Sequence, residues 1–244
     1  MTKRSASLIP VVLLALLLTG CKTSDWAAVG SVLGSLGGGE LTPDTMAQGL
    51  REALAVGIRN TVAQTGKEGG YLQNSAIRIP LPDKLKTVGD SLRKVGLGEK
   101  VDLIEAKMNA AAEEAAQGAL PVFMDAISKM TFADAKAILH GSDTAATDFL
   151  QRTTSDQLRD KYTPITAKHM HAVGLVNLYE GMMNKYRAIP FVPKVDFSME
   201  QYVTDHALKG LFNVLAEEEQ EIRRNPAART TALLQRVFTG VESK

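Results

Sequence analysis

The sequence predicts an all-α protein, a compact multi-helix bundle of about eight or nine helices with two short proline-punctuated extended crossings. Three observations predict it. From Leu41 onward, apolar residues recur at three- and four-residue steps, the signature of one helix face. No convincing period-two strand interrupts that pattern. Glycines, prolines and capping residues break it at short intervals, which favours one compact domain over two.

The start of the chain is of a different kind. Lys3 and Arg4 precede an apolar run from Leu8 to Leu18, which leads into Leu18-Thr19-Gly20-Cys21. A basic start, a hydrophobic stretch of about 7–15 residues and small residues at a cleavage point make a secretory leader. The run is too short to span a bilayer, which takes about 20 apolar residues. With cysteine directly after the small pair, the tetrad resembles the bacterial lipobox. That resemblance implies cleavage before Cys21 and lipidation of its thiol; the plainer alternative is an ordinary leader with an incidental Cys21. Bacterial lipoproteins carry a diacylglycerol on sulfur and usually a third chain on the amine. One chain holds only marginally, and three make a durable anchor. Lys22 stands where an aspartate would resemble the inner-membrane retention signal, so the expected address is the outer membrane, facing the periplasm. Cys21 is the only cysteine. The mature domain therefore has no thiol for a disulfide or a nucleophile. The expected parts are a leader over 1–20, the lipidated Cys21 with a flexible arm over 21–40, and a single helical domain over 41–244. The arm is read from the glycine- and serine-rich run Gly30 to Glu40.

Thr42-Pro43 reads as an N-cap with proline at the first helical position. The helix it opens presents Met46, Leu50, Ala53, Leu54, Gly57 and Ile58 on one face and ends at Gly66. Gly69-Gly70 is a turn. Ile77 to Pro82 is not helix interior, because two prolines remove amide donors and push their predecessors extended. It is the first crossing, covering the core. Leu85, Val88, Leu92 and Val95 mark the next helix, which stops at Gly96. Lys100 to Ala119 follows, with a run of alanines that lets another helix approach closely; it belongs near the centre. Pro121 starts a short helix to Met130.

Thr131 to Asp134 resembles a capping box. Its helix runs to His140 and stops at Gly141, and Ser142 or Asp143 caps the next, which carries Ala146, Phe149 and Leu150. Thr163-Pro164 reads as a new cap and first turn of a long helix reaching about Arg187. Ile189 to Phe197 is the second crossing. Ser198 caps a helix lined by Tyr202, Leu208, Leu211, Phe212 and Leu215. Asn225-Pro226 ends or kinks it, and Ala227 to Phe238 forms the last helix.

Composition excludes several functions. The net charge is +1, and Lys3 and Arg4 leave with the leader. Nucleic-acid binding needs a basic face, and aromatics at 5% are too few for stacking platforms. The four histidines include His169 and His171, which point to different helix faces. No His-x-x-x-His, Glu-x-x-His or Cys/His cluster accompanies them, so neither a metal nor a cofactor is expected. Met170, Met182 and Met183 read as core filler rather than copper ligands. Gly66 to Gly70 lacks the spacing of a phosphate loop, and no Gly-x-Ser-x-Gly elbow is present. The acidic run Glu217 to Glu221 reads as a solvated face, with Glu219 and Arg223 an i,i+4 pair contributing about 0.2–0.5 kcal/mol.

One locality stands out. Asp134, His140, Ser142, Asp143, Thr144, Thr147 and Asp148 fall around a single helix–helix turn. The amides opening the second helix are able to hold an anion. His140, Asp143 and Asp148 are the weak catalytic candidates, and Asp134, Ser142 and Thr144 the weak ligand-binding ones. The competing reading is that these side chains only cap the two helices.

The segments GLREAL (49–54), IRIPLP (77–82), NAAAEEAA (109–116), DAKAILHGSDTAATDFL (134–150), YVTDHALKGLF (202–212) and EIRRNPAARTTALLQRVF (221–238) resemble a family of bacterial lipoproteins known only as a domain of unknown function, family 4197. The resemblance covers nearly all of the mature chain. It implies a helical, exported domain and transfers no activity, cofactor or catalytic residue.

Three functional readings remain. The leading one is an outer-membrane-tethered helical interaction module that binds an envelope protein or component, with a cleft beside the crossings 77–82 and 189–197. The second is an envelope hydrolase using the 134–148 locality, with His140 as acid or base; it requires those side chains to converge in one pocket. The third is a carrier of a lipid or other apolar ligand, which requires a cavity of several hundred cubic ångströms.

Overall fold

The structure, a computed structural model, describes residues 42–172, 174–188 and 197–229 together with Gln235. The leader 1–20, Cys21, the arm 21–40, nearly all of the second crossing and most of the terminal helix lie outside the described residues. What is described is helical, and no strand occurs among the described residues. The helices are α1 (Pro43–Thr65), α2 (Asp83–Lys94), α3 (Gly98–Gln117), α4 (Ala119–Ser128), α5 (Phe132–Leu139), α6 (Ala145–Ala172), α7 (Leu175–Arg187) and α8 (Met199–Arg224). A 3-10 turn, Pro226–Ala228, follows where Asn225-Pro226 stops α8. No described helix is long and apolar enough to cross a membrane.

The centre of the bundle is the pairing of α6 with α8, with α3 against both and α1 along α8. Ala111, Ala112, Ala115 and Ala116 of α3 are wholly buried. Side chains without bulk let helix axes come close, which is how α3 fits between two long neighbours. Phe123 of α4 meets Phe212 of α8 edge to face, with ring centroids 5.8 Å apart.

The all-α class holds, but the expected eight or nine helices do not carry over helix by helix, because one boundary is misplaced. Thr163-Pro164 starts nothing: Pro164 lies inside α6. The proline sits on the exposed side. Its missing N–H frees a carbonyl that faces water. Nearby, Thr163 and Thr166 donate their hydroxyls to the carbonyls of Arg159 and Tyr162, both at 2.9 Å. The break comes instead at Gly174, whose φ of +69° ends the regular helix.

The first crossing alternates as an extended chain does. Ile77, Ile79 and Leu81 are buried, while Arg78 and Pro80 face out. It pairs with no strand; α3 supplies its partners. Glu105, Asn109 and Glu113 stand four residues apart on one face of that helix. Asn109, itself fully buried, accepts from Ile79 N–H at 2.8 Å through Oδ1 and donates to Ile79 C=O at 2.9 Å through Nδ2. Glu105 accepts from Leu81 N–H at 2.9 Å and from the Arg78 guanidinium at 2.8 Å. Glu113 accepts from the N–H groups of Tyr71 and Leu72 at 3.0 and 3.3 Å. Ile77 and Arg78 donate to Asn74 C=O. Every amide hydrogen from Ile77 to Pro82 is therefore taken, since Pro80 and Pro82 carry none. The expected cleft of unsatisfied backbone beside this crossing is not there.

Tyr71 locks the same region from the other side. It is fully buried, and its hydroxyl donates to Ala207 C=O of α8 at 2.7 Å. Burial, and second the charge of Glu113, push its phenol pKa well above the ordinary value, so it stays a donor.

Helix α2 closes with a paired motif. Gly96 takes a φ of +79°, its N–H donates to Arg93 C=O, and Leu97 N–H reaches back to Leu92 C=O at 2.9 Å. This 6→1 and 5→2 arrangement satisfies the last carbonyls and brings Leu92 and Leu97 together.

Candidate functional site

The turn between α5 and α6 gathers most of the residues that the sequence singled out, but it uses them to hold the fold. Thr131 and Asp134 form the expected capping box. Thr131 Oγ1 accepts from Asp134 N–H at 3.1 Å, and Asp134 Oδ2 accepts from Thr131 N–H at 2.9 Å and from its hydroxyl at 2.6 Å. The bonds from the Thr131 side chain and then its backbone hold the Asp134 carboxyl below the usual range. Asp134→Ala is expected to cost about 1 kcal/mol near neutral pH. Because the folded pKa is the lower one, this contribution is present above the unfolded value of about 3.9 and fades as pH falls through the folded value. Urea titrations of both proteins near pH 7 and again near pH 2 check it: the gap closes in acid.

His140 is exposed and forms a 2.9 Å hydrogen bond from Nδ1 to Lys136 C=O, in the last turn of α5. Asp143 is also exposed and pairs with the Arg224 guanidinium, which holds its carboxyl below the usual range. Ser142 Oγ accepts weakly from Thr144 N–H at 3.4 Å, and neither Ser142 nor Asp143 caps α6. That expectation is corrected by a residue far away in sequence.

The cap is Glu219 of α8. Its Oε1 accepts from Ala146 N–H at 2.9 Å, and its Oε2 accepts from Thr147 N–H at 2.8 Å and from the Thr147 hydroxyl at 2.9 Å. Arg223, one turn on, donates from Nε and a terminal nitrogen to Oε1 at 2.9 and 2.8 Å. The same guanidinium donates to Ile138 C=O, near the end of α5, at 2.8 Å. A carboxylate thus meets the positive end of one helix and a guanidinium the negative end of the previous one, each with the favourable sign. Sequence periodicity reads this pair as solvated; both side chains are in fact about nine-tenths buried. The anion-holding amides are real, and the chain fills them with its own carboxylate, whose lone pairs are all engaged.

Two shallow surface clefts flank α6 here. Asp134, Ser142 and Asp148 line one together with Arg152, and Thr144 and Asp148 line the other beside Asp205 and Lys209. His140 and Asp143 line neither of these. The convergence of His140 with Asp148 that the hydrolase reading requires is therefore missing. Between α1, α6 and α8, above Glu219, lies an apolar pocket with only about 20 Å³ of free space, room for roughly one water. That pocket is far too small for an apolar ligand, and a larger cleft of about 540 Å³, lined by Glu114, Gln117, Lys168 and His169, is open and polar rather than an enclosed apolar cavity.

A different surface has the character of a docking site. An apolar groove lies between α7 and the α2–α3 junction. Leu92 and Leu97, joined by the motif that closes α2, line one side; Leu178 and Met182 of α7 line the other. Lys100 and Lys185 are the charged residues of the lining, and no carboxylate accompanies them. Val95, just past α2, and Leu103 of α3 also face solvent, at 69% and 46% exposure, although neither lines the groove. Of the apolar face read for α2, Leu85, Val88 and Leu92 are buried, while Val95 faces solvent, since periodicity finds a face and not what covers it. Gly181 opens the groove on the α7 side.

Comparison with known proteins gives a family and no function. No curated protein matches the chain, and no solved structure does. The family model described as protein of unknown function (DUF4197) matches residues 40–239, which span every described helix. On that match, the chain belongs to the DUF4197 family.

Proposed function

We propose that this protein is a helical interaction module of the bacterial cell envelope, tethered through a lipid on Cys21 to the outer membrane and facing the periplasm. The observation that carries the interaction reading is the groove between α7 and the α2–α3 junction: an apolar floor and two lysines on a chain whose buried acids Glu113 and Glu219 are engaged in holding its own backbone. Exposed apolar surface with a polar rim is the usual mark of a protein contact. The tether rests on the leader-like start and on Cys21 following Leu18-Thr19-Gly20.

A photoreactive residue placed at position 177 of the full chain, where exposed Asn177 lines the groove, tests the role in cells without filling the gap over Gly181. One dominant crosslinked envelope protein is expected. A yield no higher than from a photoreactive residue at exposed Lys136 of α5, outside the groove, would end the reading. The anchor is tested separately with a fatty-acid probe: label is expected in the wild type and absent from Cys21→Ser, and equal labelling would remove the tether.

A further inference from the structure

Gly181 is a glycine inside a regular helix, and the fold gives it no reason to be one. Among the described residues, a Cβ built there meets no atom within 4 Å, and its φ lies outside the left-handed range. Glycine in a helix interior is disfavoured against alanine. Gly210 of α8 is the opposite case: a Cβ there would come within 2.6 Å of the Tyr71 ring, so packing excludes anything larger. At Gly181 the missing methyl matters only to something that approaches from outside. The gap opens into the lysine-rimmed groove, one turn from Leu178 and Lys185.

Resting on the interaction reading above, we propose that the groove receives an acidic amphipathic helix of a partner protein. Its leucine-class side chains seat against Leu92, Leu97, Leu178 and Met182. Its carboxylates face Lys100 and Lys185, and its backbone comes close to α7 over Gly181. Three features select this occupant. The charge is one-sided, because the lining holds two lysines and no carboxylate, and neither lysine makes an ion pair among the described residues. The opening is concave, which suits an inserted helix and not the plane of a bilayer. Bare backbone at Gly181 is what lets two helix axes approach below the usual 8–10 Å. Met182 adds a flexible side chain able to fit more than one apolar anchor.

The test uses the full-length chain and two labelled helical peptides with identical leucine faces, one otherwise built of glutamate and one of lysine. Fluorescence anisotropy is expected to show the glutamate peptide bound and the lysine peptide not. Gly181→Leu fills the groove and is expected to weaken binding at least about tenfold. Lys100→Glu with Lys185→Glu is expected to reverse the preference toward the lysine peptide, and added salt to weaken both pairings. Gly181→Ala is expected to raise Tm by about 2–4 °C, showing that the fold does not need the glycine.

Equal binding of both peptides, or no loss in Gly181→Leu, overturns the proposal. So does a fall in Tm in Gly181→Leu, which would mean that the chain itself occupies the groove. Wild-type self-association abolished by Gly181→Leu would name a second copy as occupant instead. Binding to phosphatidylglycerol vesicles without peptide binding would name a membrane. Crosslinking from position 177 to a segment that is not acidic would sink this partner chemistry and leave the interaction module standing; loss of crosslinking altogether would sink both.

Discussion

Glu219→Ala is expected to destabilise the domain by about 3–5 kcal/mol, the largest effect of any single substitution considered. The change leaves Arg223 with a buried charge whose main partner is gone, and it strips the acceptor from Ala146 and Thr147 N–H at the start of α6. The nine-tenths-buried guanidinium loses its carboxylate, and the buried helix amides contribute about 1–3 kcal/mol each where water does not replace the bond. Urea unfolding followed by circular dichroism measures it. The double variant Glu219→Met with Arg223→Met is expected to recover much of the loss, because replacing both members of a buried pair by apolar groups is far milder than removing one. If Glu219→Ala costs less than about 1 kcal/mol, the pair behaves as an ordinary surface bridge and the clamp on the α5–α6 turn is not real.

Asn109→Ala is expected to cost about 2–4 kcal/mol. One side chain serves both the N–H and the C=O of Ile79 in a site with no access to water, so truncation orphans two backbone groups at once. Asn109→Asp is expected to be worse near neutral pH. The carboxylate would sit in a fully buried site facing the Ile79 and Glu105 carbonyls, and burial raises its pKa. A folded pKa above the unfolded one makes stability fall as pH rises through it, so the Asp variant should recover toward acid while Asn109→Ala does not. Denaturant midpoints of the two variants across acidic to neutral pH separate these outcomes.

The sequence made visible what is local and hid what is not. Thr131 and Asp134 are three residues apart, so their capping box follows directly from the chain. The alanine face of α3 and the extended run at 77–82 are legible for the same reason: composition and proline chemistry act on near neighbours. Glu219 reads as solvated from sequence because its partners at Ala146 and Thr147 lie 73 and 72 residues away, while its i,i+4 neighbour Arg223 offers a sufficient local explanation. Asn109 sits in a run of alanines and glutamates that reads as plain helix, and nothing nearby announces that its amide copies a strand partner. Pro164 misled in the opposite way. Its usual position at a helix start outweighed Gly174, whose backbone conformation no spacing rule discloses. The 134–148 locality drew notice because capping, dipole compensation and catalysis all call on the same side chains, Asp, Ser, Thr and His.

The face of α3 that carries Glu105, Asn109 and Glu113 has a consequence for the order of events in folding. The stretch from Tyr71 to Leu81 takes its key hydrogen bonds from side chains 24 to 42 residues further along the chain. It has no helix or strand ladder of its own to nucleate on, so it cannot become ordered until α3 has already formed and docked. The amides of Tyr71, Ile79 and Leu81 should then resist deuterium uptake until the whole domain opens, although they belong to what looks like a loop.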